Sequence, residues 1–333
     1  MSLPQNFKAL VIEEHGAQLF ANPKNVAAAD LPEGEVTLRI AYSSLNYKDA
    51  LILNGIGGMV KNYPHVPGID LAGEIIDSNH SSFKAGQKVL LTGWRVGELW
   101  WGGYAQYAKV KAEWLIPLPD GLDLRQAMIL GTAGLTAMLA LIQMEKHGLE
   151  KNQGPILVTG AGGGVGSLSV ALLANLGYEV AAVTGRASLG GFLQELGAKK
   201  IIPRAELTDK PFKPLDSQHW VGAIDSVGGV MLAHILAQIK AYGTVAACGL
   251  AGGGEVPLSL MPFLLRGVRL IGIDSATCPS DLRLKAWNRL AKEMPKDKLD
   301  KIAVAAPLRD LPKLANKMLS GQVQGRIVVD VNV

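Results

Sequence analysis

Cysteine is scarce in this chain: Cys248 and Cys278 are the only two among 333 residues. Two thiols form at most one bridge, so no disulfide framework holds the fold, and a structural zinc site built from four thiolates is excluded by count. Neither cysteine is a strong candidate nucleophile. Charge is sparse as well, with Asp, Glu, Lys and Arg at 19% of the residues and a net charge of +4. No block of Lys or Arg exceeds a solvated surface cluster, which argues against nucleic acid as a partner. Apolar runs are broken by glycine or charge before the roughly 20 residues that a membrane span needs. The opening stretch, MSLPQNFKALVIEE, lacks the apolar core of a signal peptide and reads as a first strand after a short arm. The expectation is a cytoplasmic globular enzyme with no membrane partner, long enough for two domains that each bury a core.

Glycine is plentiful, and its densest use organises the rest. Ile156, Leu157 and Val158 form a short apolar run that stops at Thr159-Gly160, after which glycine fills four of the next six positions. This predicts a buried strand entering a tight turn. From Gly166 the spacing of Leu168, Val170, Ala171, Leu172 and Leu173 predicts a helix. The bare N–H groups at a helix start favour an anion, and glycine lets a pyrophosphate come close. The glycines run Gly160-x-x-Gly163-x-x-Gly166 rather than G-x-G-x-x-G, but a second strand at Glu179 to Val183 follows at βαβ distance. The predicted ligand is a dinucleotide, with Gly163, Gly164, Val165 and Gly166 at its pyrophosphate.

The end of that second strand chooses between coenzymes. An acidic residue about 20 positions after the turn would bond the adenosine ribose of NAD, but the strand here ends Thr184-Gly185-Arg186. Arg186 offers a planar fork to a 2′-phosphate, and Thr184 and Ser188 add hydroxyl donors. NADPH is therefore the predicted coenzyme. Arg204 is a further candidate for the phosphate-binding face.

Up to Arg125 the chain alternates short β-branched runs with Gly/Pro turns. Strands are predicted at Phe7 to Glu13, Glu35 to Ser43, Asp70 to Asp77, Gln87 to Thr92 and Tyr104 to Val110, with one short helix from Asn46 to Asn54. A helix from Leu122 to His147, broken at Gly131-Thr132-Ala133-Gly134, leads into six strands in βα alternation: 156–159, 179–183, 199–202, 220–224, 243–248 and 268–273. That pattern is a doubly wound parallel sheet. Beyond Asp274 a helix (Asp281 to Glu293), a strand (Lys301 to Ala305), a helix (Leu311 to Ser320) and a strand (Arg326 to Val331) are too few for a domain. The expected organisation is a mostly β catalytic part at 1–125, a dinucleotide-binding domain at 126–273, and a return at 274–333 that completes the catalytic part.

This arrangement, with Ser43-Ser44-Leu45-Asn46-Tyr47-Lys48-Asp49, Pro67-Gly68-Ile69-Asp70, Leu91-Thr92-Gly93-Trp94, Trp101-Gly102-Gly103, Ile129-Leu130-Gly131-Thr132-Ala133-Gly134, Val158-Thr159-Gly160-Ala161 and Cys248-Gly249-Leu250-Ala251-Gly252-Gly253, resembles the medium-chain dehydrogenase/reductase superfamily along essentially the whole chain. It is most similar to the quinone-oxidoreductase-like branch that contains the NADPH-dependent acrylyl-CoA reductases. The resemblance implies an α/β chain in which a six-stranded dinucleotide-binding sheet is inserted into a GroES-like catalytic domain. It also shows a departure from the zinc alcohol dehydrogenases of the same superfamily. Their first catalytic Cys falls at Asn46, their His after Pro-Gly at Ile69, and their third ligand near Gly131 or Thr132, and an isoleucine cannot coordinate a metal. No metal is expected, so the acceptor should already be electrophilic, as is a C=C bond conjugated to a carbonyl or thioester.

Hydride addition to the β-carbon of such an acceptor puts charge on its carbonyl oxygen and demands a proton at the α-carbon. Asn46 is a candidate donor or cofactor anchor, Tyr47 a candidate proton source or nicotinamide contact, and Asp49 a candidate orienting group. Leu250, Ile273 and Ser275 are expected to border the nicotinamide, and Gln324 and Arg326 to reach back toward the site. Lys48, Lys61, Arg95 and Lys109 are available for a polyanionic thioester, and Trp94, Trp100 and Trp101 for stacking or core packing. Acceptor classes are an enoyl thioester, an enone or a quinone, with a non-catalytic NADPH-binding protein as the alternative from another class. The apolar stretch Val256 to Ile273 at the expected sheet edge predicts a homodimer.

Overall fold

The computed structural model describes residues 3–16 and 18–333. It divides into two compact units, one comprising residues up to Thr132 together with those from Leu299 onward, the other Ala133–Lys298.

The first unit begins with a hairpin, β1 (Asn6–His15) and β2 (Gln18–Ala27). Then come β3 (Val36–Leu45), helix α1 (Tyr47–Leu53), β4 (Asp70–Ser78), β5 (Lys88–Thr92), β6 (Tyr107–Val110) and β7 (Ile116–Pro117). Alternation in β3 sends Val36, Leu38 and Ile40 into a core shared with Ile75, Val89 and Leu91. Two C-terminal strands, β14 (Ala303–Pro307) and β15 (Arg326–Asp330), complete the sheet: its order β14-β15-β3-β4-β5-β7 places β15 directly against β3. Helix α9 (Lys296–Ile302) feeds β14 (Ala303–Pro307), and α10 (Leu311–Leu319) lies between the two strands in sequence. The sequence places a strand at Lys301 to Ala305, but Lys301 and Ile302 form the last residues of α9 and the strand begins at Ala303.

Helix α2 (Leu124–Lys146) runs through the unit boundary and is broken at Gly131, whose φ of 48° and ψ of −152° are not helical. It is the one helix among the described residues long and apolar enough to cross a membrane by length and composition, and 89% of its apolar window is buried inside the structure. That burial is the signature of a core helix.

In the second unit β8 (Ile156–Val158), α3 (Gly164–Asn175), β9 (Val180–Thr184), α4 (Gly190–Leu196), β10 (Lys200–Pro203), α5 (Ala205–Thr208), β11 (Trp220–Asp225), α6 (Gly229–Gln238), β12 (Ile239–Ala247), α7 (Met261–Arg266) and β13 (Arg269–Gly272) alternate. All neighbouring strands are parallel and their order is β10-β9-β8-β11-β12-β13. The order reverses between β8 and β11, which makes that crevice the place where a doubly wound sheet binds its ligand. Helix α8 (Ser280–Glu293) belongs to this unit rather than to the C-terminal return. Its Trp287 and Leu290 are fully buried, and Arg289 bridges Glu145 and Glu293.

Candidate active site

The candidate site residues fall into two groups, one in each unit. In the second unit the carboxyl ends of β8, β9, β11 and β12 share one sheet edge, because every strand runs the same way. The turn after β8 caps α3 with Gly163, a residue that offers no side-chain cap to the N–H groups of the first turn. Gly166 packs so closely that an added Cβ would collide with the carbonyl of Gly160 and sit 2.6 Å from the Cα of Ala161. The turn is thus a backbone cradle with no carboxylate in the first helical turn, suited to a pyrophosphate. Across the reversal point, the Thr159 hydroxyl donates to Asp225 Oδ1 at 2.6 Å and the N–H of Gly228 donates to Oδ2 at 2.8 Å. Burial pushes the Asp225 carboxyl up, and these donors work against that shift. The pair pins the ends of β8 and β11 together.

At the end of β9 a pocket of about 540 Å³ is lined by residues that include Thr184, Gly185, Gln194, Arg204, Thr208 and Asp209. The Arg204 guanidinium lies against the face of Gly185, 3.0 Å from where a Cβ would be. Arg186 reaches back over the glycine turn, its Nη2 3.2 Å from a Cβ built at Gly162. Thr184 Oγ1 accepts from the N–H of Arg186 at 3.1 Å, which tightens the chain after the strand. Asp209, in the lining of the same pocket, accepts a hydrogen bond from Thr208 at 2.7 Å.

In the first unit a buried ionic network surrounds the start of α1. Asn46 is the N-cap, and it shares a capping box with Asp49: the Asp49 Oδ2 accepts from the backbone N–H of Asn46 at 2.9 Å. Asp49 Oδ1 accepts from the N–H of Ile69 at 2.9 Å. The Asn46 amide nitrogen donates to Asp70 Oδ2 at 2.8 Å, and its oxygen accepts from Arg326 Nη1 at 2.9 Å. Asp70 also receives the Ser44 hydroxyl (2.6 Å), the Thr132 N–H (2.9 Å) and the Thr132 hydroxyl (2.6 Å). Arg326 completes the set through Ser44 Oγ at 2.9 Å and the carbonyl of Ile129 at 2.8 Å. Gly131 must be glycine here, because a Cβ would collide with Asp70 Oδ2 and lie 2.9 Å from Arg326 Nη2. Burial, then the charge of Asp70, pushes the Asp49 carboxyl up to about 7. Burial also pulls the Arg326 guanidinium down, countered by Asp70 and Asp49, so it remains the cation of the network.

Comparison with known proteins places this geometry. The Alcohol dehydrogenase GroES-like domain family matches residues 32–120 and the Zinc-binding dehydrogenase family matches 164–292. The acrylyl-CoA reductase AcuI of Ruegeria pomeroyi is 54% identical over 98% of this chain and 99% of its own. The chain belongs to the medium-chain dehydrogenase/reductase superfamily, in the branch of the AcuI reductases. The yhdH oxidoreductase of Salmonella enterica, solved in complex with NADP, superposes with a TM-score of 0.95 at 49% identity, covering 97% of this chain and 99% of that one. The Bacillus subtilis protein YhfP, named a putative quinone oxidoreductase, is 41% identical over 97% of this chain and 98% of its own. Its structure with NAD bound has a TM-score of 0.95.

Zinc does not fit this member of the superfamily. The positions that the resemblance assigns to zinc ligands hold Asn46, Ile69 and Gly131 or Thr132, and the network commits this set: Asp49 bonds Asn46 and Ile69, and Asp70 bonds Asn46 and Thr132. The charge opposite Asp70 is already supplied by the Arg326 guanidinium. No group of three His, Cys, Asp or Glu among the described residues could hold a metal ion.

The sequence-predicted residues separate into these two groups. Gly163, Gly164, Val165, Gly166, Thr184, Gly185, Arg186 and Arg204 gather at the carboxyl ends of β8 to β10. Leu250 and Ile273 follow β12 and β13 on the same edge, and Ser275 accepts from the Thr136 hydroxyl at 2.8 Å. Asn46, Tyr47 and Asp49 sit together at the start of α1. Asn46 and Asp49 are buried with their polar atoms committed, whereas Tyr47 is 40% exposed. Gln324 is exposed in the turn before β15, two residues from Arg326. Sequence reasoning missed Ser44, Asp70 and Thr132 as partners, although all three lie inside the motifs that carried the resemblance. The Trp residues serve packing: Trp100 stacks edge-on against Trp114 and donates to the carbonyl of Lys109 at 2.9 Å, while Trp94 and Trp101 pack against two different hydrophobic clusters.

Proposed function

We propose that this chain is an NADPH-dependent reductase of an activated C=C bond, with acrylyl-CoA as the acceptor and propionyl-CoA as the product. The observation that carries the reading is the network at α1: the metal-ligand positions are occupied by residues that fit no zinc, so an alcohol has no Lewis acid to acidify it, and the acceptor must arrive polarised. Near-full-length identity to a protein named acrylyl-CoA reductase supports the same class of acceptor.

The glycine turn at Gly163 to Gly166 would hold the coenzyme pyrophosphate, and Thr184, Gly185, Arg186 and Arg204 its 2′-phosphate. The NADP found in the Salmonella relative supports that choice. When bound, the reduced coenzyme supplies hydride to the β-carbon of the acceptor. Tyr47, the exposed member of the α1 group, delivers the proton to the α-carbon or contacts the nicotinamide. Asn46 and Asp49 are positioning residues: they fix the first turn of α1 and hence the direction in which Tyr47 leaves it. Leu250, Ile273, Ser275 and Gln324 would border the nicotinamide.

The chain is read as cytoplasmic, and as a homodimer through the edge of the second unit's sheet. Support for the dimer comes from β13, an edge strand, and from α7, which packs on the neighbouring β12 and leaves Leu264 and Leu265 77% and 66% exposed.

A second reading, quinone reduction, is favoured by the name of the Bacillus relative. NADPH oxidation measured side by side with acrylyl-CoA, crotonyl-CoA and a quinone separates the two. Stoichiometric propionyl-CoA formation is expected; inertness toward thioesters with rapid quinone turnover would overturn the first reading, and equal use of NADH would overturn the coenzyme assignment.

A further inference from the structure

Immediately after Tyr47 on α1, Lys48 points to a feature that the network above does not use. Lys48 Nζ lies 2.9 Å from Glu98 Oε1, and Arg95 Nε lies 3.4 Å from Glu98 Oε2. The three side chains differ sharply in exposure: Glu98 is 7% exposed, Lys48 36% and Arg95 52%. The carboxylate therefore sits behind, and the two cations face water with a net charge of one positive unit. Because Arg95 spends its Nε on Glu98, its two terminal nitrogens keep no protein partner among the described residues and form an outward fork. An outward guanidinium fork beside an ammonium matches a phosphate, which accepts two parallel N–H bonds and a further charge.

The loop that carries Arg95 and Glu98 is built rather than loose. Gly93, Trp94, Arg95 and Gly97 all take positive φ values, of 80°, 56°, 59° and 79°. Two consecutive non-glycine residues in this region cost free energy and persist only where packing overdetermines them. Trp94 is packed against the main hydrophobic cluster, and Gly97 approaches Gly68 so closely that a Cβ would lie 2.7 Å from its carbonyl carbon. The N–H of Gly97 donates to the carbonyl of Trp100 at 2.8 Å, and that of Glu98 to the carbonyl of Arg95 at 3.1 Å. A strained, anchored loop that turns an arginine outward over a buried acid is preorganised for a ligand.

We propose that Lys48 and Arg95, seated on the buried carboxylate of Glu98, bind phosphate groups of the coenzyme A portion of the substrate. The proposal rests on the thioester reading above. It assigns the phosphates to the same face of the first unit as the start of α1, with the flexible arm of the thioester joining that site to the acyl end near Tyr47.

The test compares acrylyl-CoA with acrylyl-pantetheine, which presents the same reacting end without the phosphates. Two variants are used. Arg95→Gly removes the side chain and relieves its positive φ, so it should fold; Lys48→Met removes a charge that is already partly exposed. Each is expected to raise KM for acrylyl-CoA by about tenfold to a hundredfold, the range for a charge-assisted hydrogen bond, with kcat within about twofold of the parent. KM for acrylyl-pantetheine should not move, and inhibition by free coenzyme A should weaken by the same factor as KM. Equal losses on both thioesters, or unchanged KM for acrylyl-CoA in both variants of an active parent, would overturn the phosphate site while leaving the reductase reading intact. A parent enzyme inert toward both thioesters and active on quinones would overturn both.

Discussion

Asp49 is an acid held without solvent, and its titration should be visible in the stability of the whole first unit. Burial and the adjacent charge of Asp70 raise its pKa from 3.8 to about 7. From about pH 4 to pH 7 the folded chain keeps a proton there that the unfolded chain has released. Stability from this group is therefore complete below the unfolded pKa and is lost as pH rises through the folded one. At 1.36 kcal/mol per pKa unit, a shift of about 3 units amounts to about 4 kcal/mol over the full range, and about 3 kcal/mol of it falls between pH 5 and pH 8. Asp49→Asn abolishes the titration while leaving a carbonyl oxygen for one of the N–H donors at Asn46 and Ile69. Urea unfolding of parent and variant at intervals from pH 5 to pH 8 is the assay. The variant carries a fixed cost at every pH, but its stability relative to the parent should climb by about 3 kcal/mol across the window. Two curves that stay parallel would refute the picture of a protonated buried carboxyl.

Other substitutions probe the remaining pieces. Tyr47→Phe should cut kcat for acrylyl-CoA by about a hundredfold or more if the hydroxyl supplies the α-proton, with a smaller change in KM; an unchanged kcat would remove it from that role. Arg204→Ala should raise KM for NADPH by about tenfold to a hundredfold and leave KM for NADH nearly unmoved, because only the phosphorylated coenzyme uses the guanidinium. Gly131→Ala drives a methyl group into the contact between Asp70 and Arg326 and should cost at least about 3 kcal/mol, the scale for breaking a buried ion pair, read as a lower urea midpoint at constant slope. Leu264→Asp places a charge on the exposed face of α7 and should yield a monomer by sedimentation if that face pairs two copies; a parent that is itself monomeric would end the dimer proposal.

The parts of this molecule that rest on local pattern were legible in the sequence. The strand, glycine turn and helix at Ile156 to Asn175 are encoded by neighbours, and so are the six parallel strands and the short helix after Asn46. The hairpin strand β2 was not, because Gln18 to Ala27 mixes Asn, Lys and Pro and, among the described residues, pairs only with β1. Pro23 is acceptable there, where no second neighbour asks for its missing N–H. Helix α9 was hidden for a related reason: Lys296 to Ile302 is dominated by Lys and Asp, and only Leu299 and Ile302 are buried. The Ser44, Asp70, Thr132 and Arg326 network was illegible as a unit because its members come from β3, β4, the break in α2 and β15. Arg326 finds Ser44 across 282 positions, and no window along the chain contains both. Polar residues at 44, 70 and 132 look like strand ends or caps until the fold brings a guanidinium among them.

The strand that pairs with β3 is made long after it. Ala133–Lys298 must be synthesised between the two parts of the first unit, and at 5 to 20 residues per second that interval is roughly 10 to 30 s. During it β3 lacks β15, and the carboxylate of Asp70 lacks the arginine that answers it. The second unit has its whole sheet available first and can mature on its own schedule. A ribosome pausing once the second unit has emerged would thus hold a finished nucleotide-binding fold tethered to a half-built partner, with an open strand edge as the point most exposed to chaperones or to aggregation.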